Sequence, residues 1–198
     1  MCVTALMWAV TDAIAKELGQ SYSNIQVLWG RFFFNALIVI VLLAPRLRST
    51  LHTAAPGLQL LRTALLLTTI GLIFLSLRSL PLITATAVFF MAPLFVSILA
   101  VPLLGERVGV RRLIGVALGF VGALVVIRPG TSMMQTAALL PLAAALSSAL
   151  YQLATRKVSF VDGAMTSLLY ATLGGAIVTT ALLPLHWTTP DTLGWVGL

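Results

Sequence analysis

The sequence predicts an all-α membrane protein, a polytopic helical bundle, and three observations support that prediction. Of the 198 residues, 60% are apolar and only 9% are charged, and the mean hydropathy is +1.07. Soluble domains carry about 25% charged residues, so a soluble chain of this length could not bury so much apolar surface. The apolar residues also form long continuous runs, whereas the strands of a membrane β-barrel alternate apolar and polar residues.

Seven apolar runs are long enough, or nearly so, to cross a bilayer, which requires about 20 mostly apolar residues. The linkers between them are short and rich in turn residues, so none of them could hold a separate soluble domain. The predicted spans, numbered 1 to 7 in chain order, are residues 1–18, 25–44, 58–77, 82–104, 108–127, 137–154 and 165–185, and the start of an eighth span lies near residue 192.

The charge and the scarce reactive residues exclude several classes of function. The net charge of +7 comes from predicted loops rather than from one basic face, so we expect no nucleic-acid partner. The single cysteine, Cys2, excludes an internal disulfide and a cysteine-based metal site. The motifs of zinc proteases, serine hydrolases and P-loop proteins are missing, so we expect neither an enzyme nor a cofactor or metal site.

The loop charges predict the orientation, because Lys and Arg collect on the cytoplasmic side of a membrane. With the N-terminus inside, the outer loops carry only Lys16, Arg78 and Arg128. We therefore expect a multi-pass protein of the cell (inner) membrane with a cytoplasmic N-terminus. The inner loops then carry the larger set Arg46, Arg48, Arg62, Arg107, Arg111, Arg112, Arg156 and Lys157.

A weak internal repeat relates the two ends of the chain. Residues 5–45 align with residues 145–184, which places Asp12 on Gln152 and Lys16 on Arg156. Five spans separate the starts of the two copies, so the second copy must run through the membrane in the opposite sense. Inverted repeats of this kind form the two-sided binding sites of many transporters.

Several motifs resemble the drug/metabolite transporter superfamily, EamA type. The most specific part is their order in spans 4 and 5: a proline, then a Gly-Glu-Arg turn, then a glycine-rich helix. Together the motifs extend over most of the chain. They are Asp12-Ala13-Ile14-Ala15-Lys16, Arg31-Phe32, Ala92-Pro93-Leu94-Phe95, Leu104-Gly105-Glu106-Arg107, and Gly115, Gly119 and Gly122 followed by Val125-Val126-Ile127.

The resemblance implies a fold of ten helices made of two inverted five-helix halves. Residues 1–130 would form the first EamA-type half, and residues 131–198 would begin the second half with helices 6, 7 and the start of 8. It implies a secondary transporter, an EamA-type permease that moves a small metabolite or drug by alternating access. The alternative is a truncated or partner-dependent membrane component that does not transport. The expected partners are a small-molecule substrate and the lipid bilayer.

Three charged residues within predicted spans are the first candidates for a site. Asp12 and Arg31 lie at similar depths in spans 1 and 2, about 9 Å below the outer boundary at 1.5 Å per residue, and Lys16 shares a helical face with Asp12. Charges inside a bilayer face partners or water. These three residues either bind a polar substrate or a proton, with Asp12 as the coupling carboxylate, or form an ion pair that locks the two spans.

A second group of candidates is polar or aromatic and occupies related positions of the repeat. Tyr151 and Gln152 take the place of Thr11 and Asp12, and Tyr170 takes the place of Arg31. Polar side chains within a membrane helix favour an interior face. With Trp8 and Asn35 they form the predicted substrate-facing set, and plain helix packing is the alternative for each of them.

The remaining candidates concern gating and packing. Glu106 and Arg107 are expected to hold the turn between spans 4 and 5, or to form an inner gate. Pro93 is expected to kink span 4, as a hinge or as a static bend. Gly115 and Gly119 permit close helix approach, which favours packing within the protein and leaves a homodimer as the alternative.

Overall fold

The computed structural model describes residues 23–77, 79–105, 109–127, 138–185 and 187–189. Within these ranges the chain is helical and contains no strand. Short 3₁₀ turns occupy Ala44–Arg46 and Leu183–Leu185. The α-helices of the described residues are α1 (Asn24–Leu43), α2 (Leu47–Leu51), α3 (Pro56–Leu77), α4 (Leu82–Phe89), α5 (Ala92–Leu104), α6 (Val110–Ile127), α7 (Leu139–Val158) and α8 (Ala164–Leu182).

Prolines, a serine and one glycine fix several helix ends. The Ser23 hydroxyl accepts a hydrogen bond from the Ile25 N–H and caps α1. Pro56 occupies the first position of α3, where the N–H that it lacks would have no partner within the helix. At the other end of α5, Gly105 has φ +69°, a left-handed conformation that glycine adopts without steric cost.

Predicted span 4 is interrupted just before Pro93, the predicted kinking residue, and its two parts are α4 and α5. The α4 helix ends at Phe89, and Phe90 and Met91 form a turn before α5 begins. Pro93 lies in the first turn of α5, and its side chain is exposed. A proline is tolerated there because the first N–H groups of a helix have no partner within it. The proline therefore begins a helix here.

Four helical segments of the described residues are long and apolar enough to cross a membrane, by length and composition. Predicted spans 2, 3, 5, 6 and 7 each correspond to a helix within a few residues, whereas spans 1 and 8 lie outside the described residues. The count of seven spans and the ten-helix repeat remain predictions. The four segments are Ile25–Leu51, Pro56–Leu77, Thr84–Leu104 and Ala164–Leu182.

The chain divides into two compact units, residues 53–167 and residues 1–52 with 168–198. In the first unit α7 is the central helix, and it packs mainly against α3 and also against α5 and α4. Ala144, Ala145 and Ala149 of α7 are completely buried. Small residues let neighbouring helices approach closely, which compensates for the missing hydrophobic drive between helices in lipid.

The second unit contains α1, α2 and α8 from residue 168 onward. Trp29 of α1 donates its indole N–H to the Thr180 hydroxyl over 3.0 Å. The Gln26 side chain donates to the Thr188 carbonyl over 2.7 Å and accepts from the Thr188 N–H over 3.1 Å. These bonds join α1 to Thr180 of α8 and to Thr188, residues more than 150 positions further along the chain.

Gly175 of α8 lies directly against the Phe32 ring of α1. A Cβ at residue 175 would approach a ring carbon of Phe32 to 2.2 Å, which is a severe clash. We expect Gly175→Ala to destabilise the protein by about 1–3 kcal/mol, because overpacking forces side chains and backbone to shift. The measurement is the midpoint of thermal unfolding of the purified protein.

Gly71→Ala is the matched control, since Gly71 lies in the middle of α3 and a Cβ there would meet nothing within 4 Å. This control should be neutral or stabilising by up to about 1 kcal/mol, because alanine is the better helix former. Equal unfolding midpoints for the two variants would contradict the close contact between α1 and α8.

Candidate functional site

Arg62 and Gln59 of α3 are the most deeply buried large polar side chains of the unit formed by residues 53–167. Arg62 is 3% exposed and Gln59 is 0% exposed. They are one helical turn apart and therefore lie on the same face of α3. From the sequence, Arg62 was counted among the inner loop charges, although predicted span 3, residues 58–77, contains it. The structure places Arg62 within α3, a helix that is long enough to span a membrane.

Two contacts position the Arg62 guanidinium. Its Nη2 donates a hydrogen bond to the Ser167 carbonyl oxygen at the start of α8. Its central carbon lies 5.7 Å from the centroid of the Tyr151 ring, within the range of a cation–π contact. The Nε–H of Arg62 is buried and has no hydrogen-bond partner among the described residues.

The Gln59 amide is held at one end only. Its Nε2 donates to Asp162 Oδ2 over 2.9 Å and to Ser167 Oγ over 3.3 Å. Its Oε1 is buried and has no hydrogen-bond partner among the described residues. A buried polar group without a partner costs about 1–3 kcal/mol, and more if it is charged. A hydrogen-bonding partner at Gln59 Oε1 and Arg62 Nε would therefore stabilise the protein.

Asp162, in the connection between α7 and α8, ties that connection to the start of α3. Its carboxylate accepts hydrogen bonds from the Thr53 hydroxyl, from the Ala54 N–H over 2.9 Å and from Gln59. These donors, the Thr53 hydroxyl above all, hold the pKa of the Asp162 carboxyl below its ordinary value, against a smaller opposing effect of desolvation. Asp162 is consequently ionised at neutral pH.

An apolar cavity of about 250 Å³ lies within the same unit. It is formed by the start of α3 and the C-terminal ends of α5 and α7, and Lys157 is its one charged lining residue. In the predicted orientation all three helix ends are cytoplasmic. The apolar lining residues are Leu58, Leu61, Leu65, Leu103, Leu104, Leu150, Leu153 and Ala154.

The predicted substrate-facing residues are only partly described. Trp8, Asp12 and Lys16 lie outside the described residues, as do Glu106 and Arg107. Their roles remain predictions.

Arg31 and Asn35 are exposed residues of α1, in the unit that also contains Tyr170. Tyr170 is half-buried, and its hydroxyl donates to the Leu51 carbonyl over 3.0 Å. In the other unit, Tyr151 is half-buried next to Arg62, and the exposed Gln152 donates to the Ser148 hydroxyl over 3.4 Å. The structure thus brings Tyr151 to the buried arginine, whereas Gln152 makes a contact within its own helix.

The two glycines predicted to pack closely have different surroundings. A Cβ at Gly119 would lie 3.2 Å from Leu94 Cδ2, so α6 contacts α5 closely at this residue. A Cβ at Gly115 would meet nothing within 4 Å. Gly119 therefore has a packing role within the unit, and a dimer through this face remains a prediction.

Sequence reasoning missed Gln59, Asp162 and Thr53, and assigned Arg62 to a loop. The signal for Arg62 was present, because an arginine flanked by Leu60, Leu61 and Ala64 lies inside the apolar run that was predicted as span 3. A charge at such a position is a candidate for function in a membrane helix. No short motif joins it to Asp162, which is distant in sequence.

The structure defines the class of protein to which the chain belongs. The described residues are helical, contain four segments long and apolar enough to cross a membrane, and bury polar groups between helices, as in a multi-pass helical membrane protein. The EamA-like transporter family matches residues 1–128, and the chain belongs to that family. Its relatives are named as transporters, which confirms the expectation from the sequence that the chain is not an enzyme.

Three relatives illustrate the similarity. The S-adenosylmethionine uptake transporter of Rickettsia felis is 29% identical over 183 residues, which are 92% of this chain and 62% of the relative. That of Rickettsia conorii is 30% identical over 183 residues, with the same coverage. The riboflavin transporter of Vibrio cholerae is 33% identical over 180 residues, 86% of this chain and 58% of the relative. The chain thus spans less than two thirds of these curated relatives, and no solved structure matches it.

The bonds of Asp162 make a prediction about acid stability. Because its pKa is lowered in the folded protein, the carboxylate stabilises the fold at every pH above its ordinary value. This contribution is lost as the pH falls below that value. Asp162→Asn should therefore lower stability at pH 7 by about 1 kcal/mol, since the charged acceptor is lost.

The measurement is the unfolding midpoint of the native chain and of Asp162→Asn at pH 7 and near pH 3. The difference at pH 7 should shrink at the lower pH, because below the ordinary carboxyl pKa the unfolded chain binds a proton more readily than the folded one. Thr53→Val removes the first donor and should move the acid transition of the native chain to higher pH. A difference between native and Asn variant that is independent of pH would contradict this role of the carboxylate.

Proposed function

We propose that this protein is a secondary transporter that moves a small metabolite across the cytoplasmic membrane by alternating access, with its N-terminus in the cytoplasm. The observation that carries the proposal is the match of the EamA-like transporter family to residues 1–128. The S-adenosylmethionine and riboflavin transporters among the relatives support a metabolite as the cargo. The sequence lacks a P-loop, so a gradient of substrate or ions would supply the driving force.

The interruption between α4 and α5 supports a transport pathway through the bundle. Residues 84–104 are apolar enough to cross a membrane, yet their helix is interrupted at Phe90 and Met91. Interrupted helices in transporters leave backbone groups free to line a substrate site, since irregular backbone at membrane depth is tolerated only inside protein or beside water. Pro93, directly after the break, is the proposed gating position.

The proposed pathway residues combine the candidates from both copies of the repeat. Asp12 would exchange a proton, and Lys16 and Arg31 would attract an anionic or hydrogen-bonding group of the cargo. The other proposed contacts are aromatic and amide side chains, which suit a cargo with a flat ring system and polar substituents, such as those of the relatives. They are Trp8, Asn35, Tyr151, Gln152 and Tyr170.

Uptake of the relatives' substrates is the direct test. The chain is expressed in cells that lack their own routes for both compounds, membrane insertion is verified, and uptake of radiolabelled S-adenosylmethionine and of riboflavin is measured. We expect at least one compound to accumulate above the empty-vector level and accumulation to fall when a protonophore collapses the ion gradient. An inserted chain that moves neither compound would contradict the proposal and favour a partner-dependent component.

Asp12→Asn tests the coupling role. If Asp12 carries the proton, the variant should lose most of the pH dependence of uptake, because an amide cannot titrate between neutral and acidic pH. Uptake is followed from pH 5.5 to 8, in parallel with Gly71→Ala as a control at a position where an added Cβ meets nothing within 4 Å. An unchanged pH profile with a lowered unfolding midpoint would instead identify a structural ion pair.

A further inference from the structure

Two buried atoms of α3 have opposite hydrogen-bonding character and no partner among the described residues. Arg62 Nε can only donate a hydrogen bond, and Gln59 Oε1 can only accept one. They belong to side chains one helical turn apart on the same face of α3. A single group that accepts at one point and donates at a neighbouring point would satisfy both.

We propose that Arg62 and Gln59 form a substrate subsite for the α-amino acid group of a metabolite. The substrate carboxylate accepts from the Arg62 guanidinium, and the substrate ammonium donates to Gln59 Oε1. This inference rests on the proposed transport function and deepens it by naming the class of cargo. Arginine suits the carboxylate, because its planar fork of donors matches two carboxylate oxygens.

The surrounding contacts set both side chains in this arrangement. The Ser167 carbonyl and the Tyr151 ring hold the guanidinium from two sides. The Gln59 amide cannot turn over, because its Nε2 donates to the ionised Asp162 and a flip would bring Oε1 against that carboxylate. Oε1 is thereby fixed as the acceptor, and a site fixed in advance loses little conformational freedom on binding.

The charge of Arg62 also calls for an anion. No carboxylate in the described part of the chain forms an ion pair with it, and its contacts are a neutral carbonyl and an aromatic ring. A buried cation is stable beside a counter-ion that also hydrogen-bonds to it. The ligand carboxylate supplies that counter-ion, and the Asp162 carboxylate, which is bound by Gln59, stays on the other side of the amide.

The rest of such a metabolite would occupy the apolar cavity on the neighbouring side of α3. The apolar cavity of about 250 Å³ is lined by Leu58 and Leu61, which directly precede Gln59 and Arg62 in α3. Successive helical residues point about 100° apart, so the cavity lies on the side of α3 next to the one that carries Gln59 and Arg62. A metabolite with a polar α-amino acid end and a less polar body fits this combination.

The test uses two ligands that differ in one group, S-adenosylmethionine and its decarboxylated form. Binding is measured by calorimetric titration of the purified full chain in lipid nanodiscs. We expect the native chain to bind the carboxylate form at least about tenfold more tightly, a difference of the size that one charge-assisted pair supplies. Equal binding of both forms, or binding of neither, would overturn the inference.

Two Arg62 variants separate recognition from folding. Arg62→Lys keeps the charge and can still donate to Ser167, so it should fold, yet it lacks Nε–H and should lose most of the preference for the carboxylate form. Arg62→Gln should lose all of it. Arg48→Gln, the same change at an exposed residue of α2, is the control and should keep the native preference.

A native-like preference in Arg62→Lys would overturn the inference and leave Arg62 as a structural clamp between α3 and Ser167. Uptake of riboflavin, which has no carboxylate, tests the proposed transport function independently of this subsite. A chain that carries riboflavin and binds the two S-adenosyl compounds equally would remain a transporter without this subsite.

Discussion

A polar group inside an apolar bundle has no water to bind, so it needs a hydrogen-bonding partner from the protein or from a bound ligand, and this constraint shapes the contacts between the helices. Most hydroxyls of the helices meet it locally: Thr63, Thr69 and Thr179 each donate to the carbonyl four residues earlier. Longer side chains cannot do so. Gln59 and Arg62 of α3 must reach the α7–α8 connection and the start of α8, and they thereby join distant parts of the chain.

The same constraint explains why buried alanines accompany the polar cluster. Ser147 of α7 donates to the Leu65 carbonyl of α3 over 3.0 Å, so the two backbones must approach closely. Ala144, one turn before Ser147 on the same face of α7, is completely buried and permits that approach, whereas Ala145 packs against Leu94 of α5. Polar satisfaction and close packing are therefore two aspects of a single contact between α3 and α7, and a bulky residue at either place would disturb both.

Helix positions followed from the sequence, because long apolar runs bounded by Pro and Gly leave few alternatives. The break between α4 and α5 lies just before Pro93, where the sequence predicted a kink, but the turn at Phe90 and Met91 itself was not predicted, since both are as apolar as their neighbours. The polar cluster was also beyond reach, because Arg62 meets Ser167, a partner 105 residues further along the chain, and no local pattern encodes such a pairing. Arg62 lies close to the start of α3, and from the sequence a charge in such a position is easily assigned to the adjoining loop.

That long separation has a consequence for how the protein is made. Chains grow at about 5–20 residues per second, so α3 enters the membrane roughly 5–20 seconds before Ser167 is synthesised. During this interval Arg62 lies in a new helix without its final partner. Its place near the start of α3 allows the long side chain to extend toward the membrane surface until α8 arrives. The depth of this arginine in the helix is therefore limited by insertion as well as by any ligand it binds.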